Sequence, residues 1–121
     1  STDERLIVFL IEHYAGAFPL WLSPVQVAVI PISEKHDDYA KKVEKELKEK
    51  NIRAEVKNEN ETLGKKIRSA EMQKIPYLLI VGDKEIAANA VAVRERGKGD
   101  LGQMPTNKFI NKVKEEIKLK K

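Results

Sequence analysis

Apolar positions recur along the chain in two periods, and the switches between them divide it into elements. Residues 4–14 place Leu6, Ile7, Leu10, Ile11 and Tyr14 at helical spacing, and Val8 and Phe9 widen the apolar face beyond one stripe. Ala15-Gly-Ala17 ends this expected helix. An apolar connector follows, Phe18-Pro-Leu-Trp-Leu-Ser-Pro24, which its two prolines keep out of regular structure. The β-branched run Val25-Gln-Val-Ala-Val-Ile30, closed by Pro31, predicts a buried strand. Ser33 is placed to cap a helix whose stripe is Tyr39, Ala40, Val43 and Leu47, with Asn51 as a left-handed terminator. Ile52, Ala54 and Val56 then alternate with Arg53, Glu55 and Lys57, the pattern of a strand with one wet face.

Asn60 stands ahead of a third helical stretch carrying Leu63, Ile67 and Ala70, which Pro76 stops. Tyr77-Leu-Leu-Ile-Val81, continuously apolar, predicts a strand covered on both faces. Gly82–Ile86 and Val91–Arg96 flank Ala87-Ala-Asn-Ala90, which reads as a hairpin with Ala88 and Asn89 at its turn. Glu85 would then lie opposite Ala92 and diagonal to Arg94. The basic, glycine-rich loop Arg96–Gly102 precedes a last helix with Phe109, Ile110, Val113 and Ile117 on one face. The order βαβαββα implies an α/β fold: a mixed, mainly parallel sheet flanked by helices, with one extra helix at the N-terminus.

A chain of 121 residues fits one compact domain. With no cysteine and two histidines, a thiolate metal site, a disulfide framework and a cysteine nucleophile are excluded. A charged fraction of 35% and the absence of a long apolar run or leader make a cytoplasmic location the expectation. Net charge is +4, and its placement matters more than its size: residues 94–121 hold nine basic and four acidic side chains, residues 1–93 fourteen and fifteen. A basic surface confined to the last quarter fits a polyanionic partner or a solubilising tail.

Little in the chain resembles catalytic machinery. A phosphoacceptor domain would need acidic residues after the first strand, where Pro31-Ile-Ser33 stands. Gly97-Lys-Gly-Asp-Leu-Gly102 lacks both the residues and the strand-to-helix setting of a phosphate loop. His36-Asp-Asp38 reads as decoration of a helix start, and His13 as a packed residue of the first helix. The constellation of interest is Asn60, Glu85 and Arg94. An amide, a carboxylate and a guanidinium are the groups that read nucleobase edges, and the end of a parallel strand is where open α/β sheets bind ligands. The same residues also permit a plain cross-strand ion pair between Glu85 and Arg94.

Several stretches carry a resemblance. Ile11-Glu-His-Tyr-Ala-Gly-Ala-Phe-Pro-Leu-Trp-Leu-Ser-Pro-Val-Gln-Val27, Asn60-Glu-Thr-Leu-Gly-Lys-Lys-Ile-Arg68, Gln73-Lys-Ile-Pro-Tyr77, Val81-Gly-Asp-Lys-Glu85, Val91-Ala-Val-Arg94 and Asp100-Leu-Gly102 resemble the C-terminal part of bacterial-type threonyl-tRNA synthetases, a class II family. The resemblance covers essentially the whole chain. It implies the five-stranded anticodon-binding domain of that family over residues 23–121, preceded by the last helix and linker of a catalytic domain over residues 1–22. Asn60, Glu85 and Arg94 match anticodon-reading positions, with Arg94 at the middle guanine and the others at it or the neighbouring uracil.

Lys84, Arg96 and Lys98 are candidates for phosphate attraction. Arg5 matches an ATP-holding arginine that acts only in the intact enzyme. The implied partner is threonine tRNA. The implied ATP, magnesium and zinc belong to the catalytic part, as does most dimerisation, so no ligase activity is expected of this chain alone and none of these cofactors is expected in it. A self-associating or protein-binding module using the apolar face of residues 6–22 is the competing expectation. Thr62 departs from the lysine many members carry, and Ala87-Ala-Asn-Ala90 from their usual Asn-Gly turn.

Overall fold

The computed structural model describes residues 18–120. The helix expected over residues 4–14, with Arg5 and His13, lies outside the described residues. Five strands are present, β1 (Val27–Pro31), β2 (Ala54–Val56), β3 (Tyr77–Val81), β4 (Ala90–Glu95) and β5 (Gly99–Pro105). Four helices accompany them, α1 (Asp37–Glu49), α2 (Leu63–Met72), α3 (Asp83–Ala88) and α4 (Thr106–Lys118). The strands form one sheet in the order β2-β1-β3-β4-β5. β1 runs parallel to β2 and β3, whereas β4 runs antiparallel to β3 and β5, so the sheet is mixed.

The two faces of the sheet are covered unequally. On one, Val29, Leu79, Val91 and Val93 pack with Val43 and Leu47 of α1 and Phe109 and Val113 of α4. On the other, only α2 contributes, laying Ala70 over Ala28, Ile30 and Leu78. β1 and β3 are therefore apolar throughout, while β4 alternates: Val91 and Val93 are buried, Ala92 and Arg94 half-buried. Among the described residues no helix covers the second face of β4 and β5.

Two local expectations are corrected. Residues 83–88 form a helix, not the first arm of a hairpin. Asp83 in its first turn, Glu85 three residues past Gly82 and two helix-favouring alanines outweigh the hairpin pattern, and Glu85 Oε1 accepts from the Gly82 N–H at 2.8 Å. Asn89 does take the left-handed conformation, φ 52° and ψ 48°, but as the cap of α3. The glycine-rich loop is in part a strand. Its tight turn spans Arg96 to Lys98, and β5 begins at Gly99. The cap of α2 is Thr62, its Oγ1 accepting from the Lys65 N–H at 3.2 Å. A hydroxyl cap there gives Thr62 a structural role.

The connector is stitched to the domain rather than left as a loose apolar strap. Leu20 is buried in the core, a contribution of roughly 1.5–3 kcal/mol. The buried Gln26 donates to the Leu20 carbonyl at 3.0 Å and accepts from the Arg53 N–H at 2.9 Å. Arg53 itself donates to the carbonyls of Ser23 and Trp21.

Candidate nucleic-acid interface

Asn60 and Glu85 come to the same edge of the sheet, at the C-terminal ends of β1 and β3. Asn60 lies exposed before α2, whose buried Lys66 donates to the Pro31 carbonyl at 3.1 Å and so docks the start of that helix on the end of β1. The cleft beside it, about 340 Å³, is lined by Asn60, Lys66, Glu34, Asp37, Glu59 and Glu61. Four carboxylates around one lysine disfavour a phosphate there and suit the donors of a base edge.

Glu85 is 8% exposed and spends one oxygen on capping α3. Its second oxygen has no hydrogen-bond partner among the described residues. Arg94 is elsewhere. Its partner on β3 is Leu78, at the opposite end of that strand from Gly82, roughly 13 Å away at the rise of an extended chain. The diagonal pairing of Glu85 with Arg94 is therefore not formed, because Glu85 is helical and the strand partners of Arg94 are Leu78 and Asp100. Nor do the two form an ion pair.

Arg94 projects into a cleft of about 420 Å³ between the C-terminal end of α2 and the β4–β5 turn, over a floor of Ile75 and Leu78. It is half-buried and makes no side-chain hydrogen bond or ion pair among the described residues. The neighbouring cations differ. Arg96 donates to the Lys74 carbonyl at 2.6 Å and the Phe18 carbonyl at 2.7 Å, joining the α2–β3 turn to the connector. Burial holds its pKa below the usual guanidinium value. Lys98 pairs with Glu95 at 3.2 Å, and Lys84 is exposed and unpaired among the described residues.

Two features escaped sequence reasoning. His36 is buried, with Nδ1 accepting from the Ser33 N–H at 3.1 Å, so the ring proton sits on Nε2 and faces Asp83 at 2.9 Å. Asp83 in turn is held below the usual carboxylate range by hydrogen bonds from His36 and Lys35. This clamp fixes the start of α3, and thus Glu85, to the loop after β1. At the opposite edge Tyr77 lies 2.8 Å from Glu95 and 2.6 Å from Glu116, with Lys112 at 2.9 Å. A buried tyrosine was visible in the strand pattern; its charged partners, 18 and 39 residues away, were not.

Comparison with known proteins bears on this geometry. The family described as "Anticodon binding domain" matches residues 26–116. The chain is 57% identical over 118 residues to a threonine–tRNA ligase of Carboxydothermus hydrogenoformans, covering 98% of this chain and 19% of the relative. It is 58% identical over 117 residues to one from Clostridium botulinum, covering 97% and 18%. The chain thus spans about a fifth of the length of these curated relatives. Among solved structures, the RNA binding domain of threonyl-tRNA synthetase from Cryptosporidium parvum superposes with a TM-score of 0.85 at 32% identity, over 93% of this chain and 28% of that one. Prolyl-tRNA synthetase from the same organism superposes with a TM-score of 0.74 at 25% identity, over 84% and 22%.

Proposed function

The chain belongs to the anticodon binding domain family, and we propose that it is the module of a threonyl-tRNA synthetase that reads the anticodon of threonine tRNA. The observation that carries this reading is Arg94, a half-buried guanidinium without a hydrogen-bond or ion-pair partner among the described residues, beside the part of the sheet face, at β4 and β5, that no described helix covers. A buried charge ordinarily has a counter-charge or a full set of hydrogen bonds, so this one is suited to a ligand that supplies them. A guanidinium fork matches the O6 and N7 acceptors of guanine. Asn60 contacts a second base from the C-terminal edge of the sheet, and the unengaged oxygen of Glu85 accepts from a base donor there. Lys84 attracts phosphate, and Lys98 does so at the cost of its pairing with Glu95. Arg96 supports the site by holding the fold.

Aminoacylation is the work of the whole ligase. We assign its ATP, magnesium and zinc, and its dimerisation, to regions beyond residues 23–121, with residues 1–22 as the end of the catalytic domain. Among the described residues no three His, Cys, Asp or Glu converge as metal ligands do, and no helix is long and apolar enough to cross a membrane. The proposed place of action is the cytoplasm, where tRNA is charged.

The test is binding of the 121-residue chain to a labelled threonine-tRNA anticodon stem-loop, and to the same loop with its middle guanine changed, at two salt concentrations. Preference for the guanine loop that persists as salt rises is expected. Equal binding to both loops, lost together with salt, would overturn the reading.

A further inference from the structure

Gln103, on β5, is exposed and makes no side-chain hydrogen bond among the described residues. It stands directly opposite Ala92, and Ala92 stands opposite Ile80 on β3. Paired residues of antiparallel strands project to the same face of a sheet, and successive residues to opposite faces. Val91 and its partner Met104 pack in the core beneath α1 and α4. Ala92 and Gln103, one position along on each strand, therefore project to the other face, together with Ile80 and Arg94. There Ile80 and Ala92 make a small apolar floor with a carboxamide at its rim.

A bulge holds this register. Leu101 is the unpaired residue between Asp100 and Gly102, Gly102 takes φ 86°, and Asp100 Oδ1 accepts from its N–H at 2.7 Å. The cleft that receives Arg94 has Leu78 and Ile75 in its walls, but neither Ala92 nor Gln103. The two side chains therefore serve different places on the sheet.

We propose that Ile80, Ala92 and Gln103 form a further base subsite, occupied by the nucleotide adjacent to the one that Arg94 holds, one step along the sheet from Arg94 toward the C-terminal end of β3. This rests on the anticodon reading above. The flat face of a nucleobase lies on the Ile80–Ala92 floor, where a residue larger than alanine would fill the space. The Gln103 amide offers a donor and an acceptor in either orientation, so it meets any base edge without demanding one base. Ala92 lies two residues from Arg94 on the same face of β4, so the subsite continues the surface assigned to the anticodon, which favours RNA over a protein as the occupant.

Double-mutant cycles on the full chain test the subsite. Gln103→Ala and Arg94→Ala are each paired with anticodon stem-loops in which one loop nucleotide at a time is abasic. Gln103→Ala is expected to weaken the intact loop about five- to tenfold, the low end of a base contact. It should leave unchanged the binding of the loop that lacks one nucleotide, the neighbour of that coupled to Arg94. Gln103→Glu should weaken the intact loop at least as much, because a carboxylate only accepts. Coupling of Arg94 to one nucleotide with Gln103 coupled to none would overturn the subsite and leave anticodon reading intact. Absence of coupling for both residues would remove both proposals.

Discussion

Arg94 and Arg96 sit two residues apart at the end of one strand and do opposite things. Arg96 has both ends of its guanidinium on backbone carbonyls, Lys74 and Phe18, and is part of how the connector is fastened to the sheet. Arg94 has the same chemistry and more burial, yet no partner among the described residues. Both line the cleft floored by Ile75 and Leu78, but Arg96 spends its donors on the carbonyls at its rim, whereas those of Arg94 are left for a ligand. A count of basic residues treats the two as equal. What separates them is position: Arg94 is still in β4, beside the part of the sheet face that no described helix covers, and Arg96 lies in the turn beyond, within reach of two carbonyls.

Breaking the comparison from the Arg94 side has the largest expected effect. Arg94→Ala should cost about 1–3 kcal/mol of binding to the guanine loop and abolish discrimination at that base, with thermal stability within about 0.5 kcal/mol of the parent. Titration against matched and changed loops measures this. Equal losses on both loops would assign Arg94 to non-specific attraction instead.

Next in size is the edge that anchors the end of β4, where Glu95 stands between the two arginines. Tyr77 stacks edge-on against Phe109, and one phenolic proton serves two carboxylates, with Lys112 between them balancing the charge. Burial, then the hydrogen bonds and charges of Glu116 and Glu95, push the Tyr77 pKa far above its usual value. A raised folded-state pKa means stability that is complete below the unfolded phenol's pKa and lost as pH rises past it, above about pH 10. Tyr77→Phe should cost about 1–2 kcal/mol at neutral pH and remove that contribution to the alkaline loss. Denaturant melts at pH 7 and pH 11 give both values.

Glu95 has the opposite sign. Burial alone would raise its pKa, but hydrogen bonds from Tyr77 and Lys98 and the charge of Lys112 bring it below the usual range. Its contribution is present at neutral pH and fades as pH falls below about 4.

Arg96→Ala comes third, at about 1 kcal/mol of stability, since its carbonyls lie near solvent. Guanine discrimination should survive. A variant that kept its stability but lost discrimination would reverse the roles of the two arginines.

Much of the fold was legible because hydrophobic coverage is one- or two-sided and the sequence records which. Continuous apolar runs at Val27–Ile30 and Tyr77–Val81 announced buried strands, and the alternation over Ile52–Lys57 announced one with a wet face, where Glu55 is exposed between the half-buried Ala54 and Val56. Asn51 and Asn89 both proved left-handed, as short polar residues at chain reversals do. What failed was local competition. Gly82–Ala88 carries a helix-start signature and a hairpin-like turn in the same few residues, and the helix prevails because it also ties Asp83 to His36 across the sheet edge. That contact joins residues 47 apart, beyond any window of periodicity. The site was legible as a list of residue types but not as a constellation. The hairpin that seemed to join Glu85 to Arg94 does not exist, and Gln103 gave no signal until the register of β5 placed it.

The smallest expected effect carries the contrast between free and engaged cations over to the lysines. Lys84 is exposed and unpaired among the described residues, so a phosphate near it would release a counterion in full. Lys98 already neutralises Glu95, and moving it onto a phosphate leaves that carboxylate with Tyr77 and Lys112 only. Removing Lys84 should therefore lower the slope of log affinity against log salt by close to one, as a whole phosphate contact does. Removing Lys98 should lower it by clearly less, because part of its charge is spent within the protein in both states. Neither change should alter the preference for the guanine loop, since phosphate attraction carries no sequence information. Slopes of Lys84→Ala and Lys98→Ala measured side by side decide it: equal slopes would mean that the Glu95 pairing is given up freely on binding, and that a pre-existing ion pair does not separate a structural cation from a recognition cation on this surface.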